Sequence, residues 1–146
     1  MTEQNKIMVI HGPNLNMLGK REPETYGNAT LVDVNRMLTQ RATELGLVVE
    51  AFQSNHEGEL VGAIQAAVGS CCGMIINPAA YTHTSVAIKD ALILLDAPVI
   101  EVHISNVYKR EPFRHVSMVS DVVSGKIVGL GVLGYKLALD ALAEMV

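Results

Sequence analysis

Short apolar runs alternate with longer stretches in which apolar residues recur every three or four positions, and this alternation runs through almost the whole chain. Ile7-Met8-Val9-Ile10 has no polar interruption, as in a strand buried on both faces, and the cluster His11-Gly12-Pro13-Asn14 cannot continue it. Thr30 and Asp33 then form a capping-box pattern. Leu31, Val34, Leu38, Ala42 and Leu45 follow at helical spacing until Gly46 supplies a stop. The same reading predicts a strand over 47–52, a helix over 59–68 with Leu60, Ile64 and Val68 on one face, and a strand over 74–76 closed by Asn77-Pro78. A helix over 85–95 with Ile88, Leu92 and Leu95 inward, and a strand over 99–104, come next. Extended stretches between 116 and 128 and a helix from about 132 to 145 complete the order βαβαβαβαβα.

Parallel strands need crossover connections, and those crossovers are right-handed, so this order predicts a parallel sheet covered by helices on both faces. Five strands give an α/β, flavodoxin-like three-layer sandwich in the order 2-1-3-4-5, with ligands expected beyond the carboxyl ends of the strands where the order switches. Three polar clusters fall at such ends: 12–16 after the first strand, 77–83 after the third and 103–105 after the fourth. Two long loops, 19–28 and 105–115, carry Arg21 and Tyr26, and Lys109, Arg110 and Arg114, in the manner of lids or binding loops.

At 146 residues the chain has the length of one domain, 1–146. Only 18% of residues are charged, below the usual figure of about 25%, which points to surface covered by other subunits. Eleven basic and fifteen acidic residues give a net charge of −4, and there are four Tyr, two Phe and no Trp. A basic, aromatic-lined nucleic-acid face is not expected from that balance. Asp90, Asp96 and Glu101 cut the apolar runs well short of a membrane span, and the opening residues lack an apolar signal region. The expectation is a soluble cytoplasmic protein. Cys71 and Cys72 are adjacent, which supplies neither a disulfide framework nor the separated pairs of a zinc site.

Gly129-Leu130-Gly131-Val132-Leu133-Gly134 fits G-x-G-x-x-G, yet no second strand follows, and no acidic residue lies about 20 positions on. A strand-to-helix turn is expected there. A phosphate-accepting receiver domain would need acids after the first strand and an Asp after the third. A flavin carrier would need hydroxyls after the first strand. The chain has neither. Of the five histidines, His56 reads as a solvated loop residue and His11 and His115 as structural groups beside the site, while His83 and His103 stand at strand mouths. No two share metal-ligand spacing, so no metal is expected. Glu101 and His103 are two apart on a strand and share a face, where the carboxylate can fix the imidazole's tautomer and favour its charged form.

His11-Gly12-Pro13-Asn14-Leu15-Asn16-Met17-Leu18-Gly19, with Arg21-Glu22-Pro23 and Tyr26-Gly27, closely resembles the opening of the type II 3-dehydroquinate dehydratases. So do Ile76-Asn77-Pro78-Ala79-Ala80-Tyr81-Thr82-His83-Thr84-Ser85, Glu101-Val102-His103-Ile104-Ser105-Asn106, Phe113-Arg114-His115 and Gly129-Leu130-Gly131. The similarity runs from about Ile7 to Ala143, with local departures at Val116 and Met118, where the family often has His and Tyr. The resemblance implies a hydro-lyase that converts 3-dehydroquinate to 3-dehydroshikimate and water by anti-elimination through an enolate, without cofactor or metal. It implies Tyr26 as a tyrosinate base assisted by Arg21, Asn14 holding a water on the enolate oxygen, and His103, backed by Glu101, as the acid. It further implies that Asn77, the Ile104 amide and Ser105 bind the carboxylate and that His83 and Arg114 bind ring hydroxyls. It also implies a homododecamer, a tetramer of trimers, in which Asp90 reaches a neighbouring subunit's site.

Overall fold

The computed structural model describes residues 5–20 and 22–146. Strands β1 (Lys6–His11), β2 (Val48–Gln53), β3 (Gly73–Asn77), β4 (Val99–His103) and β5 (Gly125–Val128) form one sheet in the order β2-β1-β3-β4-β5, every pair parallel. A one-turn helix α1 (Pro23–Tyr26) lies in the first long loop. The longer helices are α2 (Leu31–Glu44), α3 (Glu57–Ala67), α4 (Val86–Ile93) and α5 (Leu133–Met145). The flavodoxin-like order expected from the alternating pattern is thus the one found.

Strand periodicity divides the interior in two. Ile7 and Val9 of β1, Ile75 of β3 and Ile100 and Val102 of β4 pack against Val34, Leu38 and Ala42 of α2 and Ala138, Leu139 and Leu142 of α5. The alternate residues Met8, Ile10, Met74, Ile76 and Val99 face Leu60 and Ile64 of α3 and Ile88, Ala91 and Leu92 of α4. By the same alternation His11 and Asn77 emerge on the α2/α5 face, and Glu101 and His103 on the α3/α4 face.

The helix ends follow local chemistry. Thr30 caps α2 by accepting from the Asp33 amide, and Asp33 accepts from the Thr30 amide, so the capping box is present in full. Ser85 caps α4 from one side only, its hydroxyl oxygen accepting from the Ile88 amide. Two expectations need correction. Val68 does not face inward: the chain leaves helical geometry there, and Val68 is 43% exposed while Ala67 takes the buried position. The extended region from 116 to 128 yields a strand only over Gly125–Val128, because Met118 donates its amide to the Thr82 carbonyl and Ser117 and Ser120 turn their hydroxyls to Glu101.

Two glycine positions set the loops at the carboxyl edge. The Gly12 amide donates to the Asn77 carbonyl at 2.7 Å, and a Cβ on Gly12 would lie 2.4 Å from the Pro78 carbonyl oxygen. Backbone on both sides cannot yield, so Gly12→Ala is expected to cost about 1–3 kcal/mol, read as a lowered urea midpoint at constant m-value. Gly129, at φ +87°, stands so close to Asn106 that a Cβ would sit 2.9 Å from its side chain. The amides of Gly129 and Gly131 donate to the His103 and Ile104 carbonyls. The G-x-G-x-x-G segment is therefore the expected strand-to-helix turn, and it braces the end of β4.

Candidate active site

A cleft opens beyond the carboxyl ends of β1, β3 and β4. It is lined by Asn14, Leu15 and Leu18 after β1, Tyr26 of α1, Asn77, Ala79, Ala80 and His83 after β3, and His103, Ile104, Ser105, Val107, Arg110 and Arg114 from β4 onward. The three polar clusters therefore converge as the fold requires. Of the expected site residues, Tyr26, Asn14, Asn77, His83, His103, Ile104, Ser105 and Arg114 line the cleft. Glu101 lies behind His103, fully buried. Asp90 is exposed on α4 and does not line this cleft. Arg21 lies outside the described residues.

The β4 pair has the geometry its spacing implies. His103 Nε2 donates to Glu101 Oε2 at 2.5 Å, which leaves Nδ1 for the cleft. Thr82 donates to the same carboxylate oxygen at 2.8 Å and Ser120 to the other at 2.7 Å. Lys126, the register neighbour of Glu101 on β5, brings its Nζ to 3.8 Å. Burial works against the charge on Glu101, but the bonds from His103, Ser120 and Thr82 outweigh it and hold the carboxyl down at about 2. The result is a fixed anion behind His103.

His83 donates Nδ1–H to the Val116 carbonyl at 2.7 Å, so its Nε2 carries the lone pair. Burial lowers the pKa of this imidazole, against the pull of the Val116 bond, and the neutral ring offers an acceptor to a ligand hydroxyl. Asn14 adopts left-handed geometry at φ 69°, secured by its amide donating to the Asn55 side chain at 2.9 Å. Arg110 donates to the Tyr26 hydroxyl at 2.8 Å and to Ser105 at 3.3 Å, with its guanidinium carbon 5.6 Å from the Tyr26 ring centre.

Arg110 is a residue that sequence reasoning missed in this role; its signal was the basic content of the loop 105–115. His115 is structural, as expected: its Nε2 donates to the Arg110 carbonyl, and its ring lies 5.6 Å from that of Tyr108. His56 is exposed at the start of α3. His11 is wholly buried, and burial pushes its imidazole down to about 4, opposed by a bond to Asn35.

His11 and Glu101 together predict a two-phase acid response. In the unfolded chain His11 gains a proton as pH falls through its ordinary 6.5, whereas in the folded protein it stays neutral until about 4, so stability declines over that window. Glu101, ordinarily protonating at 4.5 and here near 2, adds a second decline between those values. Urea midpoints measured against pH should lose the upper phase in His11→Gln and the lower in Glu101→Gln.

An α/β sheet with a polar cleft at its switch point, a tyrosine paired with an arginine and a histidine backed by a buried carboxylate is an arrangement chemically suited to moving protons. The family model described as Dehydroquinase class II matches residues 5–143, and the chain belongs to that family. It is 57% identical over 139 residues to the 3-dehydroquinate dehydratase 2 of Pseudomonas putida, covering 95% of this chain and 93% of that one. It is 59% identical to the catabolic 3-dehydroquinase of Penicillium rubens over 134 residues, covering 92% and 86%. The crystal structure of the type II dehydroquinase from Propionibacterium acnes superposes with a TM-score of 0.92 at 47% identity, over 99% of both chains.

Proposed function

We propose that the protein dehydrates 3-dehydroquinate to 3-dehydroshikimate through an enolate, with Tyr26 as base and His103 as acid. The observation that carries this reading is that the Tyr26 phenol and the His103 imidazole line one cleft, each with a charged partner suited to its task. Tyr26, as phenolate, removes a proton from C2; the C2–H electron pair moves into the C2–C3 bond and the ketone oxygen becomes an enolate. Arg110, and Arg21 by resemblance, supply positive charge against the phenolate. Asn14, at the lip of the cleft, holds a water on the enolate oxygen. The enolate then collapses, the C1–O bond breaks, and the His103 imidazolium gives its proton to the departing hydroxyl, so that water leaves. The Glu101 carboxylate compensates the imidazolium before transfer.

In this reading Asn77, the Ile104 amide and Ser105 grip the substrate carboxylate, and His83 and Arg114 bind the ring hydroxyls. The product carries a C1=C2 bond conjugated with the ketone, and the purified protein mixed with 3-dehydroquinate should develop its ultraviolet absorbance. A flat trace with intact substrate would remove the assignment.

We also propose the dodecameric assembly, with Asp90 at the contact between trimer partners. Exposed Ile93 and Leu94 on the same side of the chain as Asp90 and the low fraction of charged residues support it. Sedimentation at micromolar concentration should give a dodecamer, and a monomer would contradict it.

A further inference from the structure

Beneath Asn77 lies a chain of buried polar groups that the proposed reaction does not use. The Ala79 amide donates to Asn77 Oδ1 at 3.0 Å, and Asn77 Nδ2 donates to the Tyr135 hydroxyl oxygen at 3.0 Å. Tyr135 Oη lies 3.1 Å from His11 Nδ1, and His11 Nε2 lies 2.9 Å from Asn35 Oδ1. Tyr135 and His11 are wholly buried and Asn77 is 3% exposed. Four elements converge here, since His11 ends β1, Asn77 ends β3, Asn35 comes from α2 and Tyr135 from α5.

The direction of every proton follows from one group that cannot reverse. A backbone amide only donates, so Ala79 fixes Oδ1 of Asn77 as acceptor and turns Nδ2 toward Tyr135. The Tyr135 oxygen then accepts, its own proton passes to His11 Nδ1, and His11 keeps its proton on Nε2 for Asn35. Burial favours the uncharged forms at both rings, lowering His11 and raising Tyr135, as this arrangement needs. One of the two Nδ2 protons of Asn77 is taken by Tyr135, and the second is left for the cleft.

We propose that Tyr135 and His11 are positioning residues for the reaction, holding the Asn77 carboxamide in the one orientation that presents an N–H rather than a carbonyl oxygen to an anionic substrate. This rests on the reading that Asn77 grips the substrate carboxylate. A flipped carboxamide would repel that group, so the aligned chain serves affinity more than turnover.

Tyr135→Phe keeps the ring and removes the hydroxyl. It should raise KM for 3-dehydroquinate about tenfold while kcat changes little, as for one lost positioning bond. The same substitution in an Asn77→Ala background should add nothing further. His11→Gln offers one donor and one acceptor in place of the neutral imidazole and should keep the parent KM. His11→Leu should behave as Tyr135→Phe does, and this pair carries the test if Tyr135→Phe does not fold. Nitrogen NMR of His11 in the parent protein should show the Nε2–H tautomer. An Nδ1–H tautomer, equal KM values in the two His11 variants, or full additivity of Tyr135→Phe with Asn77→Ala would each overturn the proposal. A parent protein inactive on 3-dehydroquinate would sink the assigned reaction instead, and the tautomer would then decide the proton order alone.

Discussion

Tyr26→Phe should lower kcat by at least about 10² to 10⁴, the usual range for loss of a general base, with the fold and its melting temperature retained. Tyr26 is half-exposed at the end of α1, so removing its hydroxyl opens no core cavity, and Arg110 keeps Ser105 as a partner. Substrate binding should change less than turnover, because in the proposed mechanism the phenol oxygen acts on C2 while the carboxylate and hydroxyl contacts are assigned to other residues of the cleft. Arg110→Ala should also lower kcat, by less, through loss of the cation beside the phenolate. Steady-state kinetics on 3-dehydroquinate decides it, and near-normal turnover in Tyr26→Phe would move the base to another residue.

His103→Ala is expected to reduce turnover at every pH, since no other group in the described cleft stands on a buried carboxylate in position to protonate a leaving hydroxide. Glu101→Gln should act differently. It keeps a side chain of the same shape among Thr82, Ser120 and His103 but removes the counter-charge of the imidazolium, so the alkaline limb of the kcat/KM profile should move to lower pH. Because such a profile reports values of the base–acid pair rather than of either residue, profiles in the parent and the Tyr26→Phe background must be compared. An unshifted limb for Glu101→Gln together with an active His103→Ala would remove the acid role from this pair. The opposite pattern would separate a charge effect from simple loss of packing.

How far the chain could be read depended on the range of the interactions involved. The β1 run, the Thr30 capping box and the Glu101–His103 pair are local, written in neighbouring residues, and each stands where its spacing put it. The strand at 125–128 was blurred because Val116, Val119 and Val122 look strand-like, while the serines between them are spent on a carboxylate in another element. The partners of the site residues lie far along the chain: Arg110 reaches Tyr26 across 84 positions and Tyr135 reaches Asn77 across 58. Lys126 comes beside Glu101 only through the β4–β5 register. Such pairings are properties of topology, and no local pattern announces them. The long motifs at strand ends carried the site through their resemblance to a family rather than through their own spacing.

The two polar networks lie on opposite sides of the sheet. Odd positions of β1 and β3 send His11 and Asn77 toward α2 and α5, and odd positions of β4 send Glu101 and His103 toward α3 and α4. In the proposed mechanism the sheet thereby separates the network that orients Asn77 from the one that backs the acid His103. Changes behind one wall should combine with changes behind the other as nearly independent factors in kcat/KM, so affinity and proton delivery could drift separately as the sequence diverges.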